Sequence, residues 1–152
     1  MLKLKLVETK AGWWTLPLRI SLGVIFMAHG AQKLFGGFGG KGLKATAELF
    51  ATKLGMTPGI LWASLASGGE FIGGLLVLIG LFTRFGALSI AVVMLVAMLR
   101  VHWGSFFLPG GMEFTLALLG SSLALLIAGA GPASFDALLW ARWQRRGRRW
   151  AK

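Results

Sequence analysis

The chain has 152 residues, of which 56% are hydrophobic and 14% charged, and its mean hydropathy is +0.74. This composition excludes an ordinary soluble domain and is typical of an integral membrane protein. The net charge of +11 is concentrated outside the apolar segments, so we expect no nucleic-acid partner. The chain has no cysteine, which excludes a disulfide framework and a thiol-based redox centre within it.

Four apolar segments are long enough, or nearly so, to cross a hydrocarbon layer about 30 Å thick. The short connections between them leave no room for a separate soluble domain. We therefore predict a single all-α domain over residues 1–152, an integral membrane bundle of four transmembrane helices. The four predicted spans are residues 14–35, 59–82, 85–103 and 114–130.

Basic residues precede the first segment, separate the second from the third, and follow the fourth. The positive-inside rule then places both termini in the cytoplasm of a bacterial inner membrane. We expect the basic tail, residues 141–152, to bind anionic lipid as an anchor. The basic residues concerned are Lys3, Lys5, Lys10, Arg84, Arg142, Arg145, Arg146, Arg148, Arg149 and Lys152.

The first segment contains Arg19, and because no small-residue cleavage pattern follows, we expect the segment to be retained as a helix. We expect the Arg19 side chain to extend back to the cytoplasmic headgroups, with contact to a neighbouring helix as the alternative.

Near the other end of the first segment, His29 and Lys33 are four residues apart and share one face. Lys33 by itself favours extension to the outer interface, whereas a structural and a functional role are both open for His29. Gly23 and Gly30 offer surfaces where another helix can approach closely.

The connection that follows contains Leu43–Leu54, where apolar residues recur at helical spacing. This pattern predicts a short amphipathic helix that lies on the outer surface, caps the bundle or forms a lid.

The second segment carries a carboxylate, Glu70, in its interior, about 12 Å from Trp62 at 1.5 Å per residue. An ionisable group at that depth costs at least about 2.5 kcal/mol on insertion scales, so Glu70 needs partners. Small residues surround it, which predicts that this half of the segment packs against protein. The half from Leu75 to Phe82 is expected to face lipid.

His102 lies at the end of the third segment, and Glu113 opens the fourth helix. For Glu113, capping of the helix N-terminus is the alternative to a functional role. Ser134 then resembles an N-cap, and Ala137–Trp143 is predicted to form a C-terminal helix along the inner interface.

Because successive helices alternate in direction, polar residues distant in sequence are predicted to meet in the outer half of the bundle. The cluster has three interpretations: a structural network that fixes helix register, a binding site for a polar headgroup such as a quinone carbonyl, or a metal or haem site, which no recognised ligand spacing supports. We predict that Glu70 and His29 are catalytic and that no metal is bound. The predicted ligand-binding set is His29, Lys33, Glu70, His102 and Glu113.

The motifs resemble those of the DoxX family of small four-helix membrane proteins, which is related to the DoxD-type subunits. The resemblance covers roughly residues 16–139. It rests on Arg19-x3-Gly23-x2-Phe26-x2-His29-Gly30-x2-Lys33-Leu34-Phe35, on Glu70-x2-Gly73-Gly74-Leu75-Leu76 leading to Gly80-Leu81-Phe82-Thr83-Arg84, and on His102, Glu113, Gly131-Pro132 and Asp136.

The resemblance implies a quinone-linked redox role, of the kind associated with thiosulfate:quinone oxidoreductase or with complexes that handle oxidative stress. A quinone is then the expected cofactor. The expected partners are membrane lipid, a soluble or membrane redox protein, and a second copy of the chain. The alternatives are a non-catalytic membrane scaffold or assembly factor, and a small-molecule transporter.

Overall fold

The structure is a computed structural model that describes residues 8, 12–107 and 109–150, with the backbone alone for 146–150. Lys3, Lys5, Lys10 and Lys152, on which part of the topology prediction depends, lie outside the described residues. Within the described part, the chain forms six α-helices and no strand, which confirms the all-α class. The helices are α1 (Thr15–Phe35), α2 (Gly42–Thr52), α3 (Gly59–Ile79), α4 (Thr83–Arg100), α5 (Glu113–Ala128) and α6 (Phe135–Trp150), and a 3₁₀ turn (Gly37–Gly39) follows α1.

Two helices, α3 and α4, are long and apolar enough to cross a membrane, and α5 is apolar but shorter. The ends of α1, α3, α4 and α5 lie within three residues of the ends of the four predicted apolar segments. Helix α1 packs against α3 and α5, and α4 packs against the same two helices. The core between them contains Leu22, Phe26, Val77, Ile90 and Leu125, each at most 1% exposed.

Helices α1 and α3 approach each other through glycines. A Cβ atom at Gly30 would lie 2.5 Å from the backbone nitrogen of Phe71, and one at Gly74 would lie 2.8 Å from that of Met27. Such distances are shorter than any van der Waals contact, so only glycine permits this packing. The predicted role of Gly23 and Gly30 in close approach is confirmed.

The second half of α3 was expected to face lipid, and this is wrong for one of its faces. Val77 is fully buried, and a Cβ at Gly23 would lie 2.6 Å from Cβ of Leu78. The close α1–α3 contact therefore continues past Glu70, because Gly23 on α1 admits the larger side chains of this half. Leu75 remains exposed on the opposite face.

The expected extension of the Arg19 side chain to the cytoplasmic headgroups is wrong, and the alternative, contact with a neighbouring helix, is confirmed. The side chain is 2% exposed, and its guanidinium donates hydrogen bonds to four backbone carbonyl oxygens at 2.8–3.0 Å. Two carbonyls belong to Val77 and Leu78 near the end of α3, and two to Ala130 and Ala133 after α5. The last carbonyls of a helix have no partner within it, so a buried five-donor fork satisfies them better than headgroup contact would.

The turn between α3 and α4 is fixed by residues distant in sequence. Gly80 ends α3 with φ of 71°, in the left-handed region that glycine adopts readily. The carboxylate of Asp136 then accepts hydrogen bonds from the backbone N–H groups of Phe82 and Thr83, at 2.7 and 2.9 Å. Asp136 is itself held near the start of α6, where Ser134 Oγ accepts a hydrogen bond from the N–H of Ala137, so the predicted N-cap is confirmed.

Candidate functional site

Glu70 lies near the middle of α3 and is 1% exposed. Lys33, in the last turn of α1, reaches it, and Nζ of Lys33 lies 2.5 Å from Oε1 of Glu70. The side chains differ in burial, at 35% exposed for Lys33 and 2% for Glu70. Lys33 is thus a partner of the kind that the buried carboxylate requires, and it pairs with Glu70 instead of extending alone to the end of α1.

The second carboxylate oxygen, Oε2 of Glu70, is buried and has no hydrogen-bond partner among the described residues. A buried acceptor without a partner costs about 1–3 kcal/mol, and more when the group is charged. The Glu70 carboxylate is thus half-satisfied.

Glu70 and Lys33 line a cavity of about 580 Å³. Its walls are mainly apolar side chains of α3 and α4, and side chains from α2 and the connection after it complete the lining. The remaining lining residues are Leu49, Phe50, Leu54, Met56, Trp62, Leu65, Ala66, Phe85, Leu88, Ser89, Val92, Val93, Val96, Ala97, Arg100, Val101 and His102. A cavity of this volume with few polar groups is typical of a small-molecule site.

The cavity is elongated along α4. Its lining on that helix runs from Phe85 to Arg100, which is about 22 Å at 1.5 Å per residue. Gly69 and Gly73 pack against Ser89, so Glu70 lies nearer the Phe85 end of this length than the Arg100 end. Lys33 and Glu70 thus give a mainly apolar cavity a polar position, an arrangement that fits an amphiphilic ligand.

Two further polar residues of the cavity lining lie where α4 ends. Arg100 is exposed there, and His102 Nδ1 lies 2.8 Å from the carbonyl oxygen of Gly110, to which its N–H donates. Arg100 lines the same cavity as Glu70, although it is not in the predicted ligand-binding set.

The other predicted site residues lie elsewhere. His29 is exposed on α1, and Glu113 opens α5 as predicted; neither lines the cavity. The structure therefore places Lys33, Glu70 and His102 in the lining of one cavity, with only Lys33 and Glu70 in contact, and leaves His29 and Glu113 outside that lining. Among the described residues, no group of three or more His, Asp or Glu side chains could hold a metal ion.

Sequence reasoning missed several lining residues. The side chains of Leu49, Phe50 and Leu54 lie on the amphipathic helix that was predicted to cap the bundle, so its apolar face was the available signal. Ser89 gave no signal in the sequence. Its hydroxyl donates to the carbonyl oxygen of Gly69 at 3.2 Å, and this contact exists only because α3 packs against α4.

Comparison with known proteins adds two findings. The family model described as DoxX matches residues 14–103, which include α1 to α4 and all the lining residues. The protein of Bacillus subtilis (strain 168) named "Putative oxidoreductase CatD" is 31% identical over 122 residues, which cover 80% of this chain and 84% of that protein. No solved structure gives a significant match.

Proposed function

Because this chain belongs to the DoxX family, we propose that it is the membrane subunit of a quinone-linked redox system and that the quinone ring binds in the cavity beside Glu70. One observation carries the proposal: Lys33, whose side chain is one-third exposed, and its partner Glu70 line a mainly apolar cavity that extends along α4. The family resemblance and the name of the Bacillus subtilis relative give the redox part. The source of electrons would be a partner protein, as in thiosulfate:quinone oxidoreductase-like or oxidative-stress systems.

The proposal places α1, α3, α4 and α5 across a bacterial inner membrane. Large apolar side chains are exposed on the outward faces of these helices, among them Val24, Leu65, Leu88, Val92 and Ile127. A soluble monomer rarely exposes such continuous apolar surface, whereas lipid accepts it at no cost. Both termini would be cytoplasmic, and α2 would lie on the periplasmic side.

In this arrangement the cavity would open between α3 and α4 toward the lipid. Leu65, Leu88 and Val92 line the cavity and are also exposed, so a ligand dissolved in the bilayer would reach it without crossing water. The ring would lie beside Glu70, and the ammonium of Lys33 would donate a hydrogen bond to a ring oxygen. The apolar chain would extend along α4.

Binding of a decyl-substituted benzoquinone by the purified protein in lipid nanodiscs tests the proposal. Ala66→Phe places a ring inside the cavity, so we expect it to weaken binding at least tenfold, as calorimetry would measure. Ile72→Phe adds the same kind of bulk on an exposed face of the same helix and serves as the control. The amount of isoprenoid quinone that co-purifies should likewise be lower for Ala66→Phe than for Ile72→Phe and the unmodified protein. Equal binding by all three proteins would contradict the proposal.

The Lys33–Glu70 pair also supports a second function, that of a non-catalytic scaffold for a partner oxidoreductase. An ion pair by itself offsets part of the cost of the buried carboxylate and can fix the register of α1 against α3. Under this alternative, Glu70→Gln lowers the thermal stability without changing the binding of any ligand. Purification then yields partner proteins and no quinone.

A further inference from the structure

The guanidinium of Arg100, in the last turn of α4, has no partner among the residues that the structure describes. It makes neither a hydrogen bond nor an ion pair with any of them. Arg19 and Arg84, by contrast, both donate to backbone carbonyl oxygens of other segments. The five N–H donors of Arg100 are therefore available to a ligand.

Arg100 also changes the charge of the cavity that it lines together with Glu70. Among the described lining residues, Glu70 is the only acid, and it is already paired with Lys33. That pair is neutral as a whole, so with His102 neutral the cavity keeps one positive charge that its walls do not offset. Such a charge beside apolar walls favours a ligand with a negative charge and an apolar part.

The charge lies at one end of the apolar walls. From Arg100 the lining on α4 continues to Phe85, about 22 Å away along the helix, and every lining residue of α4 between them except Ser89 is apolar. One leaflet of a bilayer has a hydrocarbon depth of about 15 Å, half of the thickness of the whole core. An acyl chain with its head at Arg100 would thus meet apolar wall through the full depth of its leaflet.

Both parts of such a ligand have access to the cavity. Leu65, Leu88 and Val92 line it and are also exposed, so a chain can enter sideways from the bilayer. Arg100 is exposed as well. An ionised head can therefore contact the guanidinium and remain in water, which avoids the cost of burying a charge.

We propose that this cavity binds an anionic amphiphile, an acidic head group on a long acyl chain, with the head on Arg100 and the chain along α4. The inference goes beyond the proposed quinone function and takes from it only the placement of the helices in a membrane. It rests on the unpartnered charge at the end of an apolar cavity. A free fatty acid and an anionic phospholipid both have this chemistry.

The test compares two single-chain probes that share a hexadecyl chain and a phosphate: hexadecyl phosphate, which is an anion, and hexadecylphosphocholine, whose choline cation cancels the charge. The full-length protein in micelles of an uncharged detergent is titrated with each, and native mass spectrometry gives the affinity of the one-to-one complex. We expect the anion to bind about fivefold more tightly, because the contact with Arg100 is charge-assisted but partly screened by solvent.

Arg100→Gln tests the head-group contact. Because Arg100 makes no hydrogen bond or ion pair within the described part of the chain, this variant should fold normally. The preference for the anion should fall below twofold. Arg142→Gln removes the same charge from an exposed position on α6 and should keep the preference.

Ala66→Phe tests where the chain lies, since it fills the cavity and leaves Arg100 in place. We expect it to weaken binding of hexadecyl phosphate at least fivefold. Ile72→Phe, on an exposed face of α3, should bind as the unmodified protein does. A lipid held on the outer surface by charge alone would be insensitive to both changes.

A second pair of probes distinguishes the two sources of the ligand. Dioleoyl phosphatidylglycerol and dioleoyl phosphatidylcholine differ in net charge and share both chains. A preference for the first identifies an anionic phospholipid of the membrane as the ligand. A preference that is confined to the single-chain probes identifies a free acid with one chain.

Three results would overturn the inference: equal affinity for hexadecyl phosphate and hexadecylphosphocholine, a preference that survives in Arg100→Gln, or undiminished binding by Ala66→Phe. None of them decides whether decyl-substituted benzoquinone binds beside Glu70. The proposed quinone function is therefore tested separately, and either proposal can fail while the other stands.

Discussion

Nζ of Lys33 and Oε1 of Glu70 lie 2.5 Å apart, although 37 positions separate the two residues in the chain. The pair joins the last turn of α1 to the middle of α3. Because Glu70 is almost fully buried and Lys33 is one-third exposed, the two residues do not depend on each other equally. Removing the lysine leaves a charge without access to solvent, whereas removing the carboxylate leaves a charge that solvent or headgroups can reach.

Lys33→Met should therefore destabilise the protein more than Glu70→Gln. We expect Lys33→Met to lower the free energy of unfolding by about 2–4 kcal/mol, since a buried carboxylate loses its partner, and Glu70→Gln by less than half of that. The double variant should recover part of the loss. Unfolding by added SDS in mixed micelles, followed by circular dichroism, gives these values, and a larger loss for Glu70→Gln would contradict the asymmetry.

Gly74→Ala should destabilise the contact between α1 and α3. The new Cβ would lie 2.8 Å from the backbone nitrogen of Met27, so the helices must separate, at a cost of about 1–3 kcal/mol. Gly68→Ala is the matched control on the same helix, because a Cβ there meets nothing within 4 Å. The control should be neutral or stabilise by up to about 1 kcal/mol, through the higher helix propensity of alanine. Equal stability of the two variants would show that the close approach is not required.

Arg19→Lys should cost about 1–3 kcal/mol although it keeps the charge. A lysine has three donors on one nitrogen and cannot reach four carbonyls on two different segments. The carbonyls of Val77 and Ala130 also accept from Gly80 N–H and Thr15 Oγ1, so the loss falls on the carbonyl of Leu78 or Ala133. The same exchange at the exposed Arg142 should change the free energy of unfolding by less than about 0.5 kcal/mol. If both exchanges prove neutral, the hydrogen bonds of Arg19 contribute nothing to stability.

Asp136→Ala should lower the free energy of unfolding by about 0.5–2 kcal/mol, the usual cost of losing a helix N-cap. The loss comes from the N–H groups of Phe82 and Thr83, which lie at the start of α4 and have no acceptor within that helix. Asp136→Asn keeps one acceptor oxygen and should lose less. The thermal midpoint should be lowest for Asp136→Ala, higher for Asp136→Asn and highest for the unmodified protein. The reverse order would refute the assignment.

The helices of this protein could be predicted from the sequence because each one follows from local composition. Runs of apolar residues with flanking glycine and proline mark where a helix can begin and end, as at Gly59 after Pro58 and at Gly80. The amphipathic spacing of residues 43–54 likewise indicated α2. The necessity of a partner for Glu70 also followed from the sequence, since a carboxylate within an apolar run cannot remain alone.

The partners of the polar residues could be predicted only in part, because direction and depth bring several candidates to the same region. Lys33 and His29 share a face of α1 by spacing, yet the structure pairs Lys33 with Glu70 and leaves His29 exposed. Arg19 and Asp136 were the residues least accessible to sequence reasoning. Both act on backbone groups of other segments, and a backbone carbonyl or N–H has no sequence signature.

The sequence by itself determined that this chain is helical and apolar and that a costly carboxylate lies in the middle of its second long segment. These are properties of composition and spacing, which depend only on neighbours in the chain. Only the tertiary structure decided that Lys33 satisfies one oxygen of Glu70, that the other oxygen has no partner in the described part of the chain, and that both residues line one apolar cavity. Those facts depend on how closely the glycines of α1 and α3 let the two helices approach, and that is a property of the packed helices.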